Sequence, residues 1–293
     1  MLKLYQISFM IYNLKTLIKK IITMKTKTQL FVIMASLLGI GSFKSQKTIS
    51  KEITDRYYEL LKKGATKRPL PLPKVYKVLT KDIQASNFNY RAYYPESNSE
   101  NARRGIIILG VGDGGNVNDA LLNNQCEAIA KMGFVAIVTT YQNGSSYADG
   151  NIKFKQNIEE IISKEAPAYN ISRSNVVVGG VSKGGNLSLG ISLPGQMGNG
   201  GQPIEGIKGL IIECGGGDQW KGSALKLPVL YMANATDAAT NGNGTDFKTG
   251  IESNTNANVK AKSKFLIASG EGHCTNAADY KNFIINNINS FFN

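Results

Sequence analysis

The sequence predicts an α/β domain built on a mainly parallel central sheet with helices on both faces. Two observations carry this: short apolar runs alternate with stretches of helical period, and a glycine-framed turn joins one run to a helix. The runs are IIIL at 106, FVAIV at 134, VVV at 176, LII at 210, VLYM at 229 and FLIA at 265. A strand covered by helices on both faces has no solvent side, so it loses the polar alternation of a half-exposed strand. Between the runs Phe154, Ile158, Ile161 and Ile162 recur at helical spacing, and Tyr280, Phe283, Ile284, Ile288 and Phe291 repeat the pattern near the end. Both segments read as core-facing helices.

Ahead of the parallel part, residues 75–81 and 88–94 alternate in polarity and read as an antiparallel pair, which brings the sheet to about eight strands. Further upstream, residues 47–63 read as helical and are followed by KRPLPLPK, a proline-rich surface connection. The Gly/Asn-rich pieces GQMGNGGQP at 195 and NATDAATNGNGTD at 234 read as loops inside one domain, and no internal repeat is found.

The first 45 residues hold seven lysines and no acid. From Met24 they run MKTKTQLFVIMASLLGIGSFKSQ, a basic start, an apolar stretch and then small polar residues, which is the build of a signal peptide. Residues 1–45 are therefore expected to be a leader and 46–293 a single domain. Met24 is the expected true start, with a longer basic region as the alternative. The apolar stretch is shorter than the roughly 20 residues that cross a bilayer. No cysteine falls near its end, so neither a stable membrane anchor nor a lipid anchor is expected after cleavage, and the mature protein is expected to be secreted or periplasmic. Removing the leader leaves 27 basic against 21 acidic side chains, and the net charge falls from +13 to +6. The basic balance is largely a targeting feature. No basic patch with interleaved aromatics remains, so nucleic acid is not an expected partner.

The mature part holds three cysteines, Cys126, Cys214 and Cys274, without a CxxC, and the chain has one histidine, His273. That excludes a zinc site of the usual kind, and no metal or cofactor is expected. In an oxidising compartment Cys214 can pair with Cys274, because both fall at strand ends on one edge of the sheet. Three free thiols is the alternative.

The segment VVVGGVSKGGNLSLG contains Gly180-Val181-Ser182-Lys183-Gly184, a G-x-S-x-G between a buried strand and a helix. Such a serine sits on a turn so tight that side chains two residues to either side collide, which leaves glycine as the tolerated neighbour. On these residues, the chain from about Val75 onward resembles the α/β-hydrolase fold family. It is most similar to the small secreted esterases, dienelactone-hydrolase-like and polyester-hydrolase-like members. The resemblance implies a triad in the chain order Ser, acid, His. It puts Asp237, behind the strand LPVLYMANAT, in the place of the acid, and His273, behind KFLIASGEG, in that of the base. Asp246 and Glu213 are the competing acids.

The resemblance also implies an oxyanion hole made by the backbone N–H of Lys183 and one from the loop Gly110–Gly115. Asp113 is its expected donor and Gly112 the alternative register. Val111 stands where the family usually has histidine. The connection between the sixth and seventh strands is short, so little or no lid is expected. Trp220 and Tyr141 are candidates for a wall contacting the substrate.

These expectations amount to a monomeric serine hydrolase cleaving small-molecule or polymeric carboxylic esters through an acyl-enzyme. Two readings compete. Gly110, Gly112 and Gly115 spell G-x-G-x-x-G, but the next strand ends in Thr139, Thr140 and Tyr141 where a dinucleotide-binding oxidoreductase needs an acid or a base. The other is a catalytically silent hydrolase-fold binding protein.

Overall fold

The structure is a computed structural model that describes residues 75–96, 103–195, 203–237, 244–275 and 277–292. These belong to the unit Leu72–Asn293. The leader, the boundary at 46, the helix read at 47–63 and the stretch 67–74 lie outside the described residues, as do residues 196–202 of the first Gly/Asn-rich piece.

Eight strands form one sheet: β1 (Val78–Gln84), β2 (Asn89–Pro95), β3 (Ile106–Gly110), β4 (Val135–Thr139), β5 (Val176–Val181), β6 (Gly209–Glu213), β7 (Val229–Thr236) and β8 (Lys264–Glu271). Their spatial order is β1-β2-β4-β3-β5-β6-β7-β8. β2 pairs antiparallel with β1 and with β4, and every pairing from β4 through β8 is parallel. The connections carry helices α1 (Ala120–Lys131), α2 (Tyr147–Ala168), α3 (Lys183–Gly190), α4 (Gln219–Ala224), α5 (Gly244–Glu252) and α6 (Ala257–Lys262), and α7 (Ala277–Asn287) follows β8.

Alternate residues of each inner strand face opposite sides of the sheet, and both sides are buried. Ile106, Ile108, Val176, Val178, Leu210 and Ile212 face one cluster, in which α2 contributes Phe154, Ile158 and Ile161, and α5 contributes Phe247 and Ile251. Ile107, Leu109, Val177, Ile211, Leu230 and Met232 face the other, against Leu122, Cys126 and Ile129 of α1 and Tyr280 and Ile284 of α7. Each such side chain contributes about 1.5–3 kcal/mol by leaving water, which is why apolar runs without alternation became the central strands. Local signals set the helix starts. The Asp119 carboxylate accepts the Leu122 N–H at 3.0 Å to begin α1, and Ser146 caps α2 through the Asp149 N–H at 3.2 Å.

Two expectations change. The first strand of the antiparallel pair begins at Val78 rather than 75. It is an edge strand with one mostly exposed stretch, so apolar alternation marks it poorly; a fork from Arg91 to both carboxylate oxygens of Asp82, at 2.5 and 2.9 Å, supports its register with β2. In the piece read as a loop at 234, Asn234–Thr236 instead extend β7 and Gly244–Asp246 begin α5, while residues 238–243 lie outside the described residues.

Candidate active site

The parallel strands β3 to β8 end on the same side of the sheet, the side where this class of sheet gathers functional groups. Ser182 follows β5 directly, with φ 53° and ψ −116°. A non-glycine residue in that region is strained by about 1–3 kcal/mol and persists only where its surroundings impose it. Here the Ser182 N–H donates to the Glu213 carbonyl at 2.7 Å and its own carbonyl accepts the Asn186 N–H at 2.9 Å. The glycines of the turn are there for space. A Cβ on Gly180 would lie 2.5 Å from the Gly110 carbonyl oxygen, and one on Gly184 would collide with the same oxygen. Ser182 occupies the N-cap of α3 but makes no side-chain capping bond. Its Oγ is 2.7 Å from His273 Nε2.

His273 Nδ1 is 2.8 Å from Asp237 Oδ2. The Asp237 side chain is only 2% exposed while His273 is 31% exposed, so the carboxylate is shielded and the imidazole is partly open. With the Nδ1 proton directed at Asp237, Nε2 is left as the acceptor for the Ser182 hydroxyl. Asp237 follows β7 and His273 follows β8. The pairing of these strands slips between Asn234 and Thr236, an irregularity of the kind that re-aims a strand end.

The competing acids are placed elsewhere. Glu213 ends β6 with its side chain fully buried, taking a hydrogen bond from Gln125 Nε2 at 2.6 Å. Burial pushes its carboxyl up to about 7, against a smaller opposing effect of the Gln125 bond and a small push from the Asp119 charge. Asp246 lies in the first turn of α5.

The loop after β3 backs onto the serine, since a Cβ on Gly112 would lie 3.7 Å from Ser182 Cβ. The loop is braced from two sides. The Tyr141 hydroxyl donates to the Gly112 carbonyl at 3.1 Å. Lys183 Nζ donates to Asp113 Oδ1 at 2.8 Å and to Asn143 Oδ1 at 2.7 Å. Hydrogen bonding from Lys183, with its positive charge, holds the Asp113 carboxyl below the usual range. Tyr141 also meets Phe154 edge-on, ring centroids 5.9 Å apart, so its position is that of a loop support. Trp220, on α4, is 46% exposed. The β6–β7 connection carries α4 as its single helix, consistent with a site that has little cover.

Cys214 and Cys274 form a disulfide with Cα atoms 5.5 Å apart, and Cys126 is a buried thiol. The bridge joins the end of β6 to the residue next to His273. Sequence reading missed Asn143, Gln125 and Asn234. Each acts across a long chain separation, and polar residues of this kind carry no periodic signal.

No protein-family model matches the sequence, and no curated protein matches it significantly. Solved structures do resemble it. The feruloyl esterase module from Clostridium thermocellum has a TM-score of 0.53 at 16% identity over 77% of this chain and 93% of that one. A Klebsiella pneumoniae protein described as a dienelactone hydrolase has a TM-score of 0.53 at 13% identity over 74% and 98%. Esterase 2 from Thermogutta terrifontis has a TM-score of 0.51 at 17% identity over 77% and 95%. With the eight-stranded, mostly parallel sheet and its helices, these likenesses show that the chain has the α/β-hydrolase fold.

Proposed function

We propose that this chain is an exported serine hydrolase that cleaves carboxylic esters with Ser182 as nucleophile, His273 as base and Asp237 as the residue orienting it. The observation that carries the proposal is the strained serine whose Oγ lies 2.7 Å from the chain's one imidazole, itself 2.8 Å from a shielded carboxylate. Nucleophile, base and orienting group in hydrogen-bond reach are the parts acyl transfer needs. The esterases among its structural neighbours support the same reading.

His273 Nε2 takes the Ser182 proton as Oγ attacks the ester carbonyl carbon. The oxyanion that forms is held by the backbone N–H of Lys183 and by that of Asp113, or of Gly112 in the alternative register. The Lys183 N–H lies in the first turn of α3, where backbone donors lack helical partners and the helix dipole favours negative charge. Collapse of this intermediate breaks the ester C–O bond, and the alcohol leaves with the proton from His273. Water, giving a proton to His273, then attacks the acyl-enzyme, and the acid leaves as Ser182 regains its proton.

The exposed Trp220 and the short β6–β7 connection suit bulky or polymeric esters. The disulfide and the leader-like residues 1–45 support a secreted or periplasmic site of action.

Fluorophosphonate labelling of the protein lacking residues 1–45, read by intact mass, tests the assignment. One adduct on wild type and none on Ser182→Ala is the expected result. Equal labelling of both, or ester hydrolysis undiminished in Ser182→Ala, overturns it. If neither protein labels where a control esterase does, the silent binding-protein reading takes its place.

A further inference from the structure

Besides the Cys214–Cys274 bridge, one buried side chain ties the loop that carries His273 to the sheet. Asn234, 1% exposed in β7, donates from Nδ2 to the Gly272 carbonyl and to Thr275 Oγ1, both at 2.6 Å. Its Oδ1 accepts the Tyr280 hydroxyl at 3.1 Å. One amide thus grips the loop on both sides of His273 and is itself aimed by α7. Asn234 lies in β7 three residues ahead of Asp237, which follows the strand directly, and just before the slip in the β7–β8 pairing. The element that presents the carboxylate therefore also sets the distance of the imidazole from it.

We propose that Asn234 is a positioning residue, which keeps His273 between Asp237 and Ser182. The proposal rests on the triad reading above. A buried primary amide suits the task because it offers two donors in a fixed plane, matched here to a carbonyl and a hydroxyl oxygen. It carries no charge that would compete with Asp237 for the imidazole. An isosteric carboxylate has the same shape and reverses the demand, since it would face the Gly272 carbonyl with an acceptor.

Because the chain has one histidine, its ring can be read without interference. Proton and nitrogen NMR of the imidazole reports the Nδ1–H bond to Asp237, and kinetics on a short-chain aryl ester reports its consequence. For Asn234→Asp, the low-field Nδ1–H resonance is expected to broaden or disappear. kcat is expected to fall about 100-fold with KM nearly unchanged, the loss that a displacement of about 1 Å in a catalytic group produces. Thr275→Val, which removes one of the two grips, is expected to do the same in milder form, and Thr275→Ser to restore the signal.

A folded Asn234→Asp protein with the wild-type imidazole signal and kcat overturns the proposal, even if its melting temperature falls. Should that variant not fold, the Thr275 pair decides in the same terms, and indistinguishable Val and Ser variants overturn it. Failure of the triad reading is seen separately, as activity retained in Ser182→Ala.

Discussion

Glu213 makes the stability of this protein depend on pH in a direction opposite to that of a paired surface carboxylate. Its side chain is wholly buried, receives one hydrogen bond from Gln125, and its Oε1 has no hydrogen-bond partner among the described residues. An ordinary glutamate titrates near 4.5, and burial pushes this one up to about 7. Between those values the folded chain holds a proton that the unfolded chain has released, so stability falls as pH rises through the window. The full stability is present below 4.5. At about 1.4 kcal/mol per pKa unit, the loss is complete above 7 and amounts to about 3 kcal/mol. Glu213→Gln keeps the shape and the acceptor for Gln125 and removes the ionisation. Urea unfolding at pH 4, 6 and 8, with the disulfide intact, is the assay. The variant should match wild type within about 0.5 kcal/mol at pH 4 and exceed it by about 3 kcal/mol at pH 8. Parallel curves at the three values would refute the reasoning, because every other carboxylate is common to both proteins.

Two further outcomes follow from packing. Gly184→Ala drives a Cβ into the backbone of Gly110 and Val111, where neither neighbour is a flexible side chain. It is expected to cost about 3 kcal/mol or more and to lose fluorophosphonate labelling; an unchanged urea midpoint would contradict it. Replacing Cys214 and Cys274 by serine opens a link across 60 residues, worth about 4 kcal/mol in chain entropy. Thermal unfolding of the double variant should register that loss, and the imidazole signal of His273 should broaden because Cys274 is its neighbour.

The sequence by itself determined what depends on local demand. Central strands are covered on both faces and must be apolar throughout, so IIIL, FVAIV and VVV could be read as β3, β4 and β5. The turn at Ser182 tolerates only glycine two residues to either side, so a steric requirement wrote itself into five adjacent letters. His273 was legible because it has no rival in the chain. Edge strand β1 faces no comparable burial, and its start was read three residues early.

Only the tertiary structure decided which groups meet. Glu213, Asp237 and Asp246 all lie near strand ends or the loops behind them, and composition does not rank them. His273 meets Asp237 across 36 residues and Ser182 across 91, and those contacts follow from the order β5-β6-β7-β8 and the slip between β7 and β8. The same order brings Cys214 to Cys274, Gln125 to Glu213, and Asn234 to both flanks of His273. Periodicity reports the face a residue turns to the core. A contact between two polar side chains far apart in the chain leaves no period, and it exists only once the strands have been ordered and their register set.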